Sequence, residues 1–349
     1  MKLRSNFLRS WACTLALFGA GASQAAALTA IEVLQQFNLV TLGDATTSSH
    51  VDGRAFIGGH LHGQNAVIGM HPNDTPASAY SALTVIGNVN TTQVTAGGMT
   101  TLGNVNGVIV NNGATAIAGN ASNSNFNGSG GVYVGGTKNG VNSNSGSLSA
   151  STAAAMFATA TSTDFSSVLN GASDSLKALS TTGSHWTVSG NRVTFHAIAN
   201  AQGVAVFDLA GAGNLLAYGE FDFDLGSATS VIFNSDVTSA TINANVVGAG
   251  AQAVGNKMVW NFYNATYLNM VTQFAGSILA TDALLTNSNN IEGGVFVNTL
   301  VQNGEIHLGA YTGVLPTPPG QQVPEPGTLG LLAAAAAAAA WTRRRSARA

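Results

Sequence analysis

Between Leu83 and Gly136 the apolar residues come in short runs, each closed by glycine. Thr84-Val85-Ile86-Gly87-Asn88 is followed by Thr100-Thr101-Leu102-Gly103-Asn104, then by Ala116-Ile117-Ala118-Gly119-Asn120 and Val132-Tyr133-Val134-Gly135-Gly136. Gly87, Gly103, Gly119 and Gly135 are each 16 residues apart, with second apolar runs such as Val108-Ile109-Val110 between them. One such unit cannot bury its apolar face, but stacked units can, through β-ladders between successive repeats. The pattern predicts a β-solenoid with glycine at positive-φ corners and asparagines hydrogen-bonding along the stack.

From Ser149 to Leu179 the period changes. Phe165, Val168, Leu169, Ala172, Leu176 and Leu179 recur at three- and four-residue spacing, which places them on one helical face. Asp164 suits the cap at its start, and Gly171 weakens the helix by about 1 kcal/mol relative to Ala. One long helix packed along the solenoid is expected. Strands resume at Trp186: Val204–Leu209, Ser230–Asn234, Trp260–Ala265, Phe274–Ala280, Asn290–Val297 and Asn303–Leu308 read as further rungs.

Composition agrees with this pattern. Only 8% of the 349 residues are charged, 45% are hydrophobic and 42 are glycine. That share of apolar residues argues against disorder, and the scarcity of Glu, Lys and Arg argues against a helical bundle. Small polar residues among Val, Ile and Leu runs favour a β-rich chain with many tight turns.

The two ends read as addresses. Residues 1–27 have a basic start (Lys2, Arg4, Arg9), an apolar run from Trp11 to Ala20, and small residues at Ser23-Gln24-Ala25 and Ala25-Ala26-Ala27. This is the layout of a cleaved secretory signal, and the short run suits a permanent anchor poorly. The single cysteine, Cys13, lies within this segment, so the mature chain has no thiol and no disulfide. At the other end, Val323-Pro324-Glu325-Pro326 leads to an apolar stretch, Leu329–Trp341, and then to Arg343, Arg344, Arg345 and Arg348. Thirteen residues fall short of the roughly 20 that span a bilayer, while the arginines favour a cytoplasmic end. Without both ends, five bases (Arg54, Lys138, Lys177, Arg192, Lys257) face fourteen acids, and five minus fourteen is a net charge near −9. So few cations leave no patch for nucleic acid.

The tail closely resembles the PEP-CTERM sorting signal of Gram-negative bacteria. The resemblance implies that an exosortase recognises the Pro-Glu-Pro motif, removes the tail and passes the protein to the surface; a plain tail anchor is the alternative. The body resembles the choice-of-anchor A domain in Phe37-Asn38-Leu39-Val40, in Val51-Asp52-Gly53-Arg54-Ala55-Phe56-Ile57-Gly58-Gly59, in the Trp260 and Phe274 stretches, and in Ile291-Glu292-Gly293 with Asn303-Gly304-Glu305-Ile306-His307. That resemblance runs from about Leu34 to Gly313. It implies a β-helix with a flanking helix, similar to bacterial ice-binding and adhesive modules. At His60 the chain departs from the usual Asn, which puts one corner hydrogen bond in question.

Candidate chemistry is sparse. His50, Asp52, His60 and His62, with His71 and Asp74, make the one dense group of potential ligands, and His60-x-His62 puts two rings on one strand face, suited to Zn2+. The plainer reading is polar rung corners. Glu220, Asp222 and Asp224 alternate with Phe221 and Phe223, so three carboxylates share a strand face about 7 Å apart. Such a ladder suits weak Ca2+ binding, or in a glycan-active enzyme two acids flanking a sugar; a solvated face over inward phenylalanines explains it more simply. There is no Gly-x-Ser-x-Gly elbow, phosphate loop or complete Gly-x-Gly-x-x-Gly. His185 and His196 flank strands near Trp186 and read as structural. An ice-binding face needs regular outward threonines, and the column Thr84, Thr100, Ala116, Val132 fails after two rungs.

The expectation is therefore a mainly β, right-handed parallel β-helix with one long helix alongside. It is divided into signal 1–27, solenoid 28–313, Pro-rich linker 314–322 and sorting tail 323–349. The chain reads as a non-enzymatic adhesin or matrix protein of a Gram-negative cell surface. Signal peptidase and exosortase act on it during export, it touches the inner membrane only through its tail, and its partners are polysaccharide or matrix. No cofactor is required; Zn2+ at the histidines or Ca2+ at the acidic ladder would be additions. The alternatives are a glycan-active enzyme and an ice-binding protein.

Overall fold

The computed structural model describes residues 26–316. The expected signal up to Ala25, the sorting motif Val323, Pro324, Glu325 and Pro326, the apolar stretch Leu329–Trp341, and Arg343, Arg344 and Arg345 lie outside the described residues. Among the described residues no helix is long and apolar enough to cross a membrane.

Twenty-six strands form one sheet, and its pairings are parallel. They make three ladders. The first runs from Val204–Asp208 through Ser230–Ser235, Met258–Phe262 and the starts of Ser277–Asn287 and Val295–Gln302. It then passes to Leu39–Thr41, Ala55–Ile57, Leu83–Val85, Met99–Thr101, Thr115–Ile117 and Val132–Val134. The second runs from Ser239–Ile242 to Lys138–Asn139, and the third from Phe274–Ala275 to Asn142–Ser143. A separate four-stranded sheet contains His185–Ser189, Arg192–His196, Glu220–Asp224 and Asn245–Val246.

Spatial order is not chain order. Leu39–Thr41, the first strand, lies between Ala55–Ile57 and Val295–Val297. The chain begins in the middle of the stack, builds to one end near Ser143, returns as helices, and refills the other end from His185 back to the middle.

The inner face of the ladders is the main core. Phe207, Phe233 and Trp260 stack in register, with ring centroids 4.7 and 3.9 Å apart, and Phe195 and Phe221 close over them. A second core covers the outer face of the first ladder. There Val40, Phe56, Val206, Ile232, Val259, Leu279 and Phe296 lie under α1 (Ala30–Gln36) and α3 (Phe165–Lys177). Phe56 and Phe165 stack at 3.9 Å. Two buried asparagines fasten α3 to the ladder: Asn261 Nδ2 donates to the Ser173 carbonyl (2.9 Å), and Asn234 Nδ2 donates to that of Leu176 (2.6 Å).

Three expectations need correction. The single long helix is two, α2 (Ala150–Ala160) and α3, capped by Ser149 and Asp164 respectively. Between them Thr161 and Ser162 bond back to carbonyls of the preceding turn, and hydroxyls competing in this way end helices. The last repeat is one residue longer than 16, because Ala116 pairs with Tyr133 and the Gly136 amide, not that of Gly135, reaches the Gly119 carbonyl. Finally, Gly87, Gly103 and Gly119 are not at positive φ. They are small because they stack on one another: a Cβ on Gly119 would lie 2.6 Å from the Gly103 carbonyl oxygen.

Candidate functional site

The outer surface of the first ladder is occupied by helices. Thr84, Thr100 and Ala116 are buried there, and Tyr133 meets Phe157 of α2 edge-on at 6.2 Å. The threonine column considered for ice is therefore inside the protein. The last described residues also lie on this side, with Leu315 packed against the α1–α3 core.

The second ladder is different. Its inward residues Leu268, Leu285, Leu300, Ala45, Leu61, Val89, Val105 and Ala121 are buried. Alternate side chains point to opposite faces of a strand, so the next position on each strand faces out. In register that column reads Thr241, Asn269, Thr286, Val301, Thr46, His62, Asn90, Asn106, Ser122, Asn139. All ten are exposed or half-buried. At the usual strand spacing they span roughly 43 Å. No Asp, Glu, Lys or Arg stands in this column.

A second column runs beside it at the corner, and here hydrogen bonds fix the side chains. The amide of Asn104 donates to Asn88 Oδ1, that of Asn120 to Asn104 Oδ1, and that of Thr137 to Asn120 Oδ1, each at 2.8 Å. Asp44 Oδ1 accepts from the His60 amide (2.6 Å), and His60 Nδ1 accepts from the Asn88 amide (2.9 Å). The bond in question at His60 is thus kept, by an imidazole nitrogen in place of an amide oxygen. That use of Nδ1 requires neutral His60, with its proton on Nε2.

The candidate metal ligands do not converge. His60 and His62 lie on the second ladder, with ring centroids 6.2 Å apart. His50 and Asp52 lie on the third, where His50 Nδ1 is 3.5 Å from Glu305 and Asp52 Oδ2 accepts from the Leu308 amide at 3.1 Å. Among the described residues no group of three or more His, Cys, Asp or Glu is arranged to hold a metal. On the acidic strand, Phe221 and Phe223 turn inward as expected. Its carboxylates meet a neighbouring strand in register: Glu220 pairs with Arg192 at 2.8 Å, and Asp224 lies 3.4 Å from His196.

The structure adds a cluster that spacing did not reveal. Where strands from the two ends of the chain meet, His307 Nδ1 bonds Glu292 (2.8 Å) and Nε2 bonds Glu305 (2.7 Å). Burial opposes the imidazolium, but the hydrogen bond to Glu305 and the charges of Glu292 and Asp52 outweigh it and raise the His307 pKa. Beside it Asn38 Nδ2 donates to the carbonyls of Gly293 (3.1 Å) and His307 (2.9 Å), while its Oδ1 accepts from the Gly53 amide (3.0 Å). Arg54 lies buried nearby, with no carboxylate partner among the described residues, donating to the carbonyls of Gln36, Pro76 and Tyr80; burial lowers its pKa to about 10. The Asn38, Arg54 and His307 motifs are legible in sequence, but their partners are not.

The described residues thus form a helix-backed parallel sheet with a long, mostly polar outer column on its second ladder. Residues 30–308 match the family described as "Putative Ice-binding-like adhesive domain", and the chain belongs to that family. Residues 322–345 match the PEP-CTERM protein-sorting motif. Together they mark an exported, surface-associated, adhesin-like protein processed by exosortase. The body match is to this adhesive family, not to choice-of-anchor A. Among curated proteins and solved structures, none matches the chain.

Proposed function

We propose that the body is a right-handed β-solenoid of the choice-of-anchor A kind, which binds neutral polysaccharide of the extracellular matrix along its second-ladder face. The ten-position column, polar everywhere but at Val301, carries this reading. Amides and hydroxyls repeating at strand spacing offer donors and acceptors to a chain of sugar hydroxyls, and a rigid ladder limits the ordering cost of binding. The surface orientation supports it, since the chain leaves toward its tail from the helix-covered side and the polar ladders stay free. Threonine fills only three of the ten positions, which does not favour ice. The partners of Glu220 and Asp224 do not favour hydrolysis. In this reading the host is Gram-negative, and the tail holds the precursor in the inner membrane until exosortase acts.

The test is a glycan and matrix-protein array probed with the full chain, with and without Ca2+, against a Thr46→Arg/Asn90→Arg variant. Both substitutions sit on the outward column and leave the core untouched. Polysaccharide binding that the variant loses supports the reading. Binding that the variant retains, or release of reducing ends from bound glycans, overturns it.

A further inference from the structure

The end of the stack farthest from Ser143 carries a recess of 470 Å3 lined by Thr181, Ser184, His185, Trp186 and Asp208. Its position follows from the topology. His185–Ser189 is an edge strand, antiparallel to Arg192–His196 and, among the described residues, without a neighbour on its other side. Trp186 pairs with the inward-facing Phe195, so its indole points toward the core; but the stack ends there, and the ring stays half-buried against the last core residues. It is the one tryptophan of the described residues with an accessible face, because Trp260 is fully buried.

Polar groups frame that face and are held in place. Thr181 Oγ1 donates to the Val206 carbonyl (3.1 Å), tying the recess wall to the edge of the first ladder. Ser184 is buried and bonds Ile198 in both directions, which makes it part of the wall. The His185 ring stacks on His196 at 5.1 Å, and His196 is in turn held by Thr187 (3.1 Å) and Asp224 (3.4 Å). His185 Nδ1 lies 3.4 Å from the Gly183 carbonyl, which leaves Nε2 for a ligand. Asp208 is exposed at the end of its strand, with Oδ1 accepting from the Ala210 amide (3.0 Å).

We propose that this recess is a second carbohydrate site, which takes a single neutral pyranose at a glycan end. An aromatic face receives the apolar C–H side of a sugar ring. A carboxylate, an imidazole and a hydroxyl around it accept and donate to hydroxyls on the ring edge. The volume lies in the range of small-ligand pockets. Asp208 selects against uronic acids, whose carboxylate it repels. The proposal rests on the adhesive reading for the class of ligand, but on different residues at a different place.

The full chain is titrated calorimetrically with neutral hexoses, N-acetylhexosamines and the matching uronic acids. The expected result is binding of at least one neutral sugar and of no uronic acid. Asp208→Asn weakens binding about tenfold, the loss expected for one charge-assisted hydrogen bond. Trp186→Ala abolishes it, and Trp186→Phe, which keeps an aromatic face and the packing, retains it. Because Asp208 is exposed, its variant reports on binding even if Trp186→Ala does not fold. Thr46→Arg/Asn90→Arg keeps monosaccharide binding while losing polysaccharide, so the two sites fail separately. The proposal is overturned if no neutral sugar binds, if Asp208→Asn binds unchanged, or if sedimentation shows concentration-dependent association that Trp186→Ala removes, which would assign this end to a second copy of the chain.

Discussion

Replacing Asn38 with alanine should cost far more than its small size suggests, because one side chain closes the join between the two ends of the chain. Asn38 and Gly293 are 255 residues apart, and with the contacts to His307 and Gly53 three hydrogen bonds converge on one side chain that is 2% exposed. Alanine leaves one amide and two carbonyls without these side-chain partners. At about 1–2 kcal/mol for each bond lost with its partner left unpaired, the expected loss over three bonds is roughly 3–6 kcal/mol. That is a large part of the 5–15 kcal/mol typical of a folded domain, and at about 2–4 °C per kcal/mol corresponds to a fall in Tm of roughly 6–24 °C. Asn38→Asp should be no better: its carboxylate still accepts from Gly53 but points negative charge at two carbonyls. The control is Asn127→Ala, which loses a solvent-exposed bond from Asn144 at the far end of the third ladder. Urea unfolding of the full chain followed by far-ultraviolet circular dichroism measures all three. If Asn38→Ala unfolds within about 1 kcal/mol of the parent chain and no earlier than Asn127→Ala, the join does not depend on this residue and the reasoning fails.

His60→Asn restores the amide acceptor of the corner ladder and should change stability by less than about 0.5 kcal/mol, whereas His60→Ala loses the Asn88 bond and about 1 kcal/mol; parallel melts decide. His307 has a raised folded-state pKa, so its contribution to stability is full below the unfolded value near 6.5 and is lost as pH rises through the folded value. His307→Gln should flatten the stability profile in that window, and an unchanged slope would assign the pH dependence elsewhere. Replacing Glu325 together with Pro324 and Pro326 should leave full-length precursor on immunoblots of membrane fractions, with little released protein; normal processing would remove the exosortase reading of the tail.

Much of this protein is local and therefore legible along the chain. Short apolar runs closed by Gly-Asn specify parallel strands and a corner, because side-chain alternation and close stacking depend on neighbouring residues and an almost constant repeat. Phe165, Leu169 and Leu176 announce α3, Asp164 announces its cap, and the two terminal signals need no fold to be read. What the sequence could not determine is which repeat lies on which. That Leu39 meets Val295, that Asn38 and His307 join the two ends, that His60 stands in for an asparagine, and that helices cover the Thr84–Thr100 column all follow from long-range pairing. So does the split of His50 and Asp52 from His60 and His62, since residues ten apart in the chain can lie on different ladders. Every parallel strand in the stack has edges that suit many partners, and sequence periodicity makes those partners look alike. Only the long-range pairing of the ladders, with aromatic rings in register inside and helices fitted to one side, selects a single order and leaves the second-ladder column exposed to solvent.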